Sequence, residues 1–154
     1  MKEIKESALT FAFQDSVTLL KFDDVKFYRE TYNKLPGGKG VDIIADSDTM
    51  LQLIEVKNCS GNEAENVWRT HINNSKRESA PLGLDVENRD SLDIEISKKV
   101  ASTIACLYGA WSKAQQSDAA QELSGISLNP CNNYSIQTEL ATDYFLRPKT
   151  AQFY

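Results

Sequence analysis

The clearest pattern along the chain is a pair of short apolar runs, rich in β-branched residues, at 40–46 and 51–57. Each run has the length of one strand, and the polar segment between them has the length of a hairpin loop. Side chains alternate between the two faces of a strand, so Leu53, Glu55 and Lys57 are expected on one face. We therefore predict two antiparallel strands joined by a tight turn.

Three charged residues, Asp42, Glu55 and Lys57, lie inside this predicted hairpin. A buried ionised side chain is costly unless it is paired, hydrated or bound to a metal. A loop of two or four residues would place Asp42 opposite Leu53, on the same face as Glu55, with the two acids as diagonal neighbours about 7–8 Å apart. A loop of three or five residues would place Asp42 and Glu55 on opposite faces of the hairpin, unless a bulge returned them to the same face. An even loop thus predicts two carboxylates that can share one divalent cation.

The rest of the chain supplies further predicted elements. Residues 2–20 carry apolar positions at helical spacing, and 25–32 alternate like a strand near a sheet edge. Helices are also predicted at 62–76 and 91–116, with a polar loop between them and two short strands at 134–137 and 144–146.

Composition narrows the class of protein. A chain of 154 residues with 41% hydrophobic and 25% charged residues is typical of one globular domain. No apolar run approaches the roughly 20 residues that span a bilayer, so we expect a soluble, cytoplasmic protein. Cys59, Cys106 and Cys131 are dispersed, which argues against a disulfide framework and against structural zinc. Cys106 lies in an apolar helical stretch and is expected in the core.

The charged residues and the order of the elements resemble the restriction-endonuclease-like PD-(D/E)XK nucleases. The signature of that superfamily is an Asp, a strand break and then Glu-x-Lys on the next strand, within a core of helix, three strands and helix. The likeness covers about 2–68. It implies an α/β (α+β) fold with a central mixed β-sheet flanked by helices. It further implies one nuclease-like domain over 1–154, with a core motif at 2–78 and helical and C-terminal additions at 91–154.

By the same resemblance, Asp42 and Glu55 would bind Mg²⁺, for which Mn²⁺ can substitute, and the backbone carbonyl of Val56 would complete the ligands. Many members add an acidic residue from the first helix, and Glu6 is the candidate here. Lys57 would stabilise negative charge or orient the attacking water. Mg²⁺ prefers oxygen ligands and retains several waters, while phosphodiester cleavage needs a nucleophilic water and charge neutralisation.

The implied activity is Mg²⁺-dependent endonucleolytic hydrolysis, with DNA as the expected substrate. Lys39 in the glycine-dense loop, and Arg69, Lys76 and Arg77 further along, are candidates for contacts with phosphates. The formal net charge of −5 opposes non-specific binding to DNA, which depends on Lys and Arg. The basic surface would therefore be local, or would come from a homodimer partner or another subunit.

Two alternatives remain open. Asp42 could cap a turn while Glu55 and Lys57 form an exposed pair, which would make the protein a non-catalytic binding or inhibitory module of the same fold. The same residues could instead cut RNA, as in a nuclease toxin. Discrimination between RNA and DNA depends on contacts to the 2′-hydroxyl, and these motif residues do not define such contacts. The apolar residues Ile44 and Leu53 on the same predicted face favour a cleft over an open surface.

Overall fold

The structure is a computed structural model, and it describes residues 1–59, 61–114, 116–124, 126, 135–142 and 151–152. The strands are β1 Lys2–Glu6, β2 Leu9–Phe13, β3 Thr18–Lys21, β4 Ile43–Asp46, β5 Met50–Lys57, β6 Ser135–Thr142 and β7 Ala151–Gln152. The α-helices are α1 Glu63–Asn66, α2 Leu92–Lys113 and α3 Asp118–Ser124. Shorter helical turns cover Phe22–Asp24, Tyr28–Tyr32, Val67–Thr70, Ile72–Asn74 and Arg77–Ser79.

The central feature is a four-stranded mixed sheet in the order β3-β4-β5-β6. The first three strands form an antiparallel meander, while β6 lies parallel to β5. Parallel neighbours need a crossover connection, and the segment that carries α2 and α3 supplies it. The α+β class and the mixed sheet are as predicted, and the strand predicted at 134–137 corresponds to the start of β6. The strand predicted at 144–146 lies outside the described residues.

The β4–β5 hairpin follows the prediction in its loop but not in its register. Asp46 pairs with Leu51, so an even number of residues, 47–50, separates the paired positions. Ile43 pairs with Ile54, which shifts the register by two residues from the predicted pairing of Asp42 with Leu53. A shift of two residues preserves the face that each side chain occupies. Asp42 itself precedes the paired positions: its N–H donates to the Ile54 carbonyl at 3.1 Å, and its Oδ2 accepts the Val56 N–H at 2.6 Å, so it lies beside Glu55.

The predicted helix at 2–20 is wrong, because this segment forms β1, β2 and β3. Ser7 and Ala8 both have positive φ, at 50° and 68°, which is the backbone of a tight two-residue hairpin turn. Leu9 and Phe13, four residues apart, fit a strand period of two as well as a helical period, so the local pattern did not discriminate. Phe11 is fully buried against the central sheet, and this packing decides the outcome.

The predicted strand at 25–32 is also wrong, since Tyr28–Tyr32 forms a π-helical turn. This turn buries the adjacent side chains of Phe27 and Tyr28, which a strand would send to opposite faces. The Tyr28 hydroxyl accepts the Gly40 N–H at 2.9 Å. A Cβ at Gly40 would collide with the Phe22 ring, so only glycine allows this close approach just before the hairpin.

The two predicted later helices differ in outcome. The helix predicted at 62–76 is broken into α1 and separate 3-10 turns. The interruption includes Asn73, whose φ of 55° is non-helical. The helix predicted at 91–116 is confirmed with slightly tighter limits as α2.

The molecule has three layers around two apolar clusters. One cluster joins Ile44 and Leu53 of the central sheet to α2 and α3. The other joins Ile43 and Ile54, on the opposite face, to Phe11 of β2. Helices therefore cover one face of the central sheet, while the small sheet β1-β2-β7 covers the other. In the described segments, no helix combines the length and apolar character needed to cross a bilayer.

Candidate functional site: a charged ladder at the mouth of a basic cleft

A continuous ladder of alternating charges joins β5 to α2. Lys99 Nζ lies 2.5 Å and Lys57 Nζ 3.0 Å from the same oxygen, Glu55 Oε1. Lys57 also contacts Glu95 Oε1 at 2.6 Å, and the second oxygen of Glu95 pairs with Arg69. The order Lys99–Glu55–Lys57–Glu95–Arg69 gives each acid in the ladder a cation on both sides.

Helix α2 positions one half of this ladder through its four-residue repeat. Glu95, Lys99 and Thr103 lie at i, i+4 and i+8, so they share one face of the helix. The Thr103 hydroxyl accepts the Val41 N–H at 3.0 Å and donates to the Lys99 carbonyl at 2.9 Å. The helix thus holds the backbone next to Asp42 as well as the Glu55 side chain.

Glu55 is the most deeply buried acid of the site, with 1% of its surface exposed. Burial raises the pKa of its carboxyl group, and the charge of Asp42 adds to the rise, while Lys99 and Lys57 oppose it. Its Oε2 atom is buried and has no hydrogen-bond partner among the described residues. A buried carboxylate with a raised pKa and an unused oxygen is typical of a functional site.

Asp42 immediately precedes β4 and is half-buried. Its Oδ2 accepts the Val56 N–H at 2.6 Å, so the Val56 carbonyl, which projects from the same side of the strand, lies toward Asp42. Asp23 stands near this position: partial burial and then the charge of Asp42 raise the pKa of its carboxyl group. Asp23 could not be recognised from the sequence as a site residue, because it lies in the helical turn Phe22–Asp24, outside the hairpin.

The neighbouring charges hold Lys57 and Glu95 in their ionised forms. Burial alone would lower the pKa of Lys57, but Glu95 and Glu55 keep it above its ordinary value. Burial alone would raise the pKa of Glu95, but Lys57, Arg69 and Lys99 keep it below its ordinary value. These two side chains therefore form a charged pair at neutral pH.

The ladder borders a cleft of about 640 Å³. Three acids line this cleft, Glu65, Asp90 and Glu95, against six basic residues: Lys39, Lys57, Arg69, Arg89, Lys98 and Lys99. The cleft is therefore locally cationic, although the whole chain has a formal net charge of −5. A local excess of cations of this kind focuses an electrostatic field that attracts anions.

The predicted site residues divide into those that meet here and those that do not. Glu55 and Lys57 share one face of β5, Asp42 lies beside them with its Oδ2 on the Val56 N–H, and Lys39, Lys57 and Arg69 line the cleft. Glu6, Lys76 and Arg77 do not line the cleft.

Glu6 is on β1, where it pairs with Lys21 at 2.8 Å, so it does not come from a helix as the resemblance implied. Arg77 lies 5.9 Å from the Trp68 ring and pairs with Asp90 at 3.3 Å, which is a structural role. Lys76 is exposed and does not line the cleft.

The carboxylates fit a hard divalent cation by their chemistry. Mg²⁺ is commonly held by one or two carboxylates, with waters and substrate oxygens in its other positions. Asp42, Glu55 and the Val56 carbonyl offer such oxygens. The Glu55 Oε2 atom, which has no hydrogen-bond partner among the described residues, is available as a metal ligand. Within the described ranges, no group of three or more His, Cys, Asp or Glu residues could hold a metal ion. The available set is therefore two carboxylates and one carbonyl.

Sequence reasoning missed Glu95 and Lys99, the two α2 residues that complete the ladder. Their spacing of four is visible in the sequence and places them on one helical face. Nothing in that spacing shows that this face meets β5, because charged residues on a helix usually face water.

Comparison with known proteins gives one family. The model of DUF6661, a family of unknown function, matches residues 25–137. The match covers more than half of the chain, so the protein belongs to this family. No curated protein and no solved structure matches it.

Proposed function

We propose that the protein is a divalent-cation-dependent nuclease with a site of the PD-(D/E)XK kind. The observation that carries the proposal is that Asp42, whose Oδ2 accepts the Val56 N–H at 2.6 Å, lies beside Glu55, and that Lys57 Nζ contacts Glu55 Oε1 at 3.0 Å. Lys57 of this group lines the cationic cleft. An acid pair beside a lysine has the charges that phosphodiester hydrolysis requires.

The order of the strands supports the proposal. Three antiparallel strands are followed by a helical segment, as the resemblance implies after its first helix, and β6 then adds a fourth strand parallel to the third. One departure is that strands β1 and β2 take the place of the expected first helix. Glu6 on β1 pairs with Lys21, so we leave it out of the proposed site.

Each residue has a distinct role in the proposed mechanism. Asp42, Glu55 and the Val56 carbonyl would hold the cation, which would supply a water of lowered pKa and neutralise charge on the phosphate. Lys57 remains an ammonium group between Glu55 and Glu95, and it would offer positive charge to a phosphate oxygen. Glu95 positions Lys57 and does not itself contact the substrate.

The cleft favours a polyanionic substrate, which we propose to be DNA. Lys39, Arg89 and Lys98 line the cleft outside the acid pair, where they would contact flanking phosphates. Arg69 is already engaged, because it pairs with Glu95 and donates to the Asp90 carbonyl at 2.8 Å. Contacts with phosphates make binding dependent on salt, so affinity should fall steeply as ionic strength rises.

Cleavage of plasmid DNA in Mg²⁺ or Mn²⁺ tests this proposal, with wild type compared with Glu55→Gln and Lys57→Met. We expect each substitution to reduce the rate at least about 100-fold, the scale of losing one electrostatic contribution at an active site. Single-stranded DNA and RNA of the same sequence, run in parallel, identify the preferred substrate.

Glu30→Gln is the matched control, because Glu30 is an exposed acid on the helical turn Tyr28–Tyr32. Its rate should remain within about threefold of wild type, as expected for a surface substitution. Cleavage that survives both Glu55→Gln and Lys57→Met unchanged contradicts the proposed site.

A second candidate is a nucleic-acid-binding module without catalysis. The observation that favours it is that two lysines already neutralise Glu55. Calorimetric titration with Mn²⁺ distinguishes the two functions. A nuclease should bind at least one cation and lose it in Asp42→Ala, whereas a binding module should retain DNA affinity without any dependence on the cation.

A further inference from the structure

The ammonium groups of Lys57 and Lys99 both contact Glu55 Oε1, and the two contacts are not equivalent. Lys57 is shared between Glu55 and Glu95, and it belongs to the same strand as Glu55. Lys99 comes from α2, and Glu55 is its only ion-pair partner within the described ranges. At 2.5 Å the Lys99 contact is also the closer of the two on this oxygen. Lys99 is therefore the counterion that can leave without breaking the Lys57–Glu95 pair.

The position of Lys99 beside the cleft allows its ammonium group to move away from Glu55. Its side chain is 14% exposed and lines the cleft, so rotation about its flexible stem can carry the ammonium group from Glu55 toward bound phosphate. The Glu55 carboxylate has no such freedom, because it is almost fully buried on a central strand. A cation that approaches Glu55 must therefore compete with Lys99, since both are attracted to the same carboxylate at short range.

We propose that Lys99 is a built-in competitor of the divalent cation: its ammonium group occupies Glu55 in the cation-free protein and moves into the cleft when the cation binds. This inference rests on the proposed function, because it assigns the cation to Glu55. It makes cation binding weak in the free protein and stronger when a phosphate in the cleft accepts Lys99. The device would keep the site inactive until substrate is present.

Mn²⁺ titration by calorimetry without nucleic acid tests the competition directly. Lys99→Met and Lys99→Gln should bind Mn²⁺ about tenfold more tightly than wild type, while Lys99→Arg, which keeps the charge, should bind about as weakly as wild type. Lys113→Met is the matched control for net charge. Lys113 is an exposed lysine at the end of the same helix and does not line the cleft, so its loss should alter Mn²⁺ affinity by no more than about twofold, as expected for a surface substitution.

A measurement on the unaltered protein covers the case in which these variants do not fold. Acetylation by an amine-reactive reagent, followed by mass spectrometry, reports the modification rate of Lys99 relative to Lys98. Saturating Mn²⁺ should raise that ratio several-fold, because Lys99 leaves Glu55. An unchanged ratio with Mn²⁺ bound overturns the inference, and so does equal Mn²⁺ affinity in wild type and Lys99→Met.

These results are separable from failure of the proposed function. Mn²⁺ binding that is lost in Asp42→Ala but unaffected by Lys99 substitution rejects the competition and leaves the nuclease proposal standing. Absence of Mn²⁺ binding in wild type and in both neutral Lys99 variants, together with absence of cleavage, rejects both.

Discussion

The two ends of the interface between β5 and α2 are built in opposite ways. At one end Leu51 and Leu53 pack against Cys106, Leu107 and Ala110 in the larger apolar cluster. At the other end the next inward-facing residues of β5 are charged, and they meet charged residues of α2. The same strand and the same helix thus change from hydrocarbon contact to ion pairing within a few residues.

The two ends make different contributions to the folded protein. Burial of apolar surface stabilises the folded state by about 25 cal/mol per Å², so the apolar end accounts for the attachment of α2. A buried ion pair gains little net stability, because desolvation of the two charges offsets their attraction. The charged ladder is therefore poorly explained as a device for folding, and its cost is consistent with a role in function.

The largest effect on stability is expected at the apolar end. Leu53→Ala removes a side chain that is 0% exposed, and it should lower the free energy of unfolding by about 2–5 kcal/mol. Urea denaturation measures the change. Leu82→Ala is the matched control, because Leu82 is fully exposed, and it should change the free energy by less than about 0.5 kcal/mol. Equal effects of the two substitutions would contradict the assignment of the core.

A smaller effect, and one that depends on pH, is expected at the charged end. The pKa of Glu95 is held below its ordinary value of about 4.5 by Lys57, Arg69 and Lys99, against the opposing effect of burial. A lowered pKa contributes stability above the ordinary value, and that stability is lost as the pH falls through the lowered pKa. Glu95→Gln should therefore lose about 1–3 kcal/mol relative to wild type at pH 7.

The two proteins should converge in stability as the pH falls below about 4.5. Thermal unfolding of wild type and Glu95→Gln across pH 3–7 measures this convergence. A difference that stays constant over the whole range would show that Glu95 acts through packing rather than through charge.

Between the two ends, loss of the hydrogen bond from Val41 to Thr103 should lower the free energy of unfolding by about 1–2 kcal/mol. Thr103 is 0% exposed, and its hydroxyl accepts the N–H of Val41, which is also fully buried. Thr103→Val keeps the shape of the side chain but leaves that N–H group without its acceptor, which costs roughly this amount. Thr103→Ser keeps the hydroxyl and should retain the hydrogen bond, so urea denaturation should place it closer to wild type. Equal losses in both variants would argue that the methyl group matters instead.

The comparison also explains which features could be predicted from the sequence. The β4–β5 hairpin and α2 were predicted, because each has a strong local period over its whole length. The even spacing of the turn was predicted, whereas the register of the hairpin was not, since a register shift of two residues leaves the alternating pattern unchanged. Local periodicity thus predicts the elements that form the apolar end of the interface, but it does not predict which charged residues pair at the other end.

The helix predicted at 2–20 was wrong for a related reason. Its apolar residues satisfy both a helical period and a strand period, and burial of Phe11 against the central sheet selects the strand. Packing between distant segments likewise places Lys99 beside Glu55. Such pairings depend on how the finished sheet and helix meet, so local sequence patterns do not specify them.

The smallest effect is expected at Cys106, which tests how well the apolar end excludes water. Burial raises the pKa of this thiol to about 12, so it should remain protonated and unreactive at pH 8. Iodoacetamide labelling with assignment of each cysteine by mass spectrometry should leave Cys106 unmodified in the folded protein. Its labelling should begin only with global unfolding in urea, at the same midpoint as the loss of circular dichroism. Labelling well before that midpoint would mean that α2 separates from β5 at the apolar end independently, and the ladder would then have to hold the helix in place.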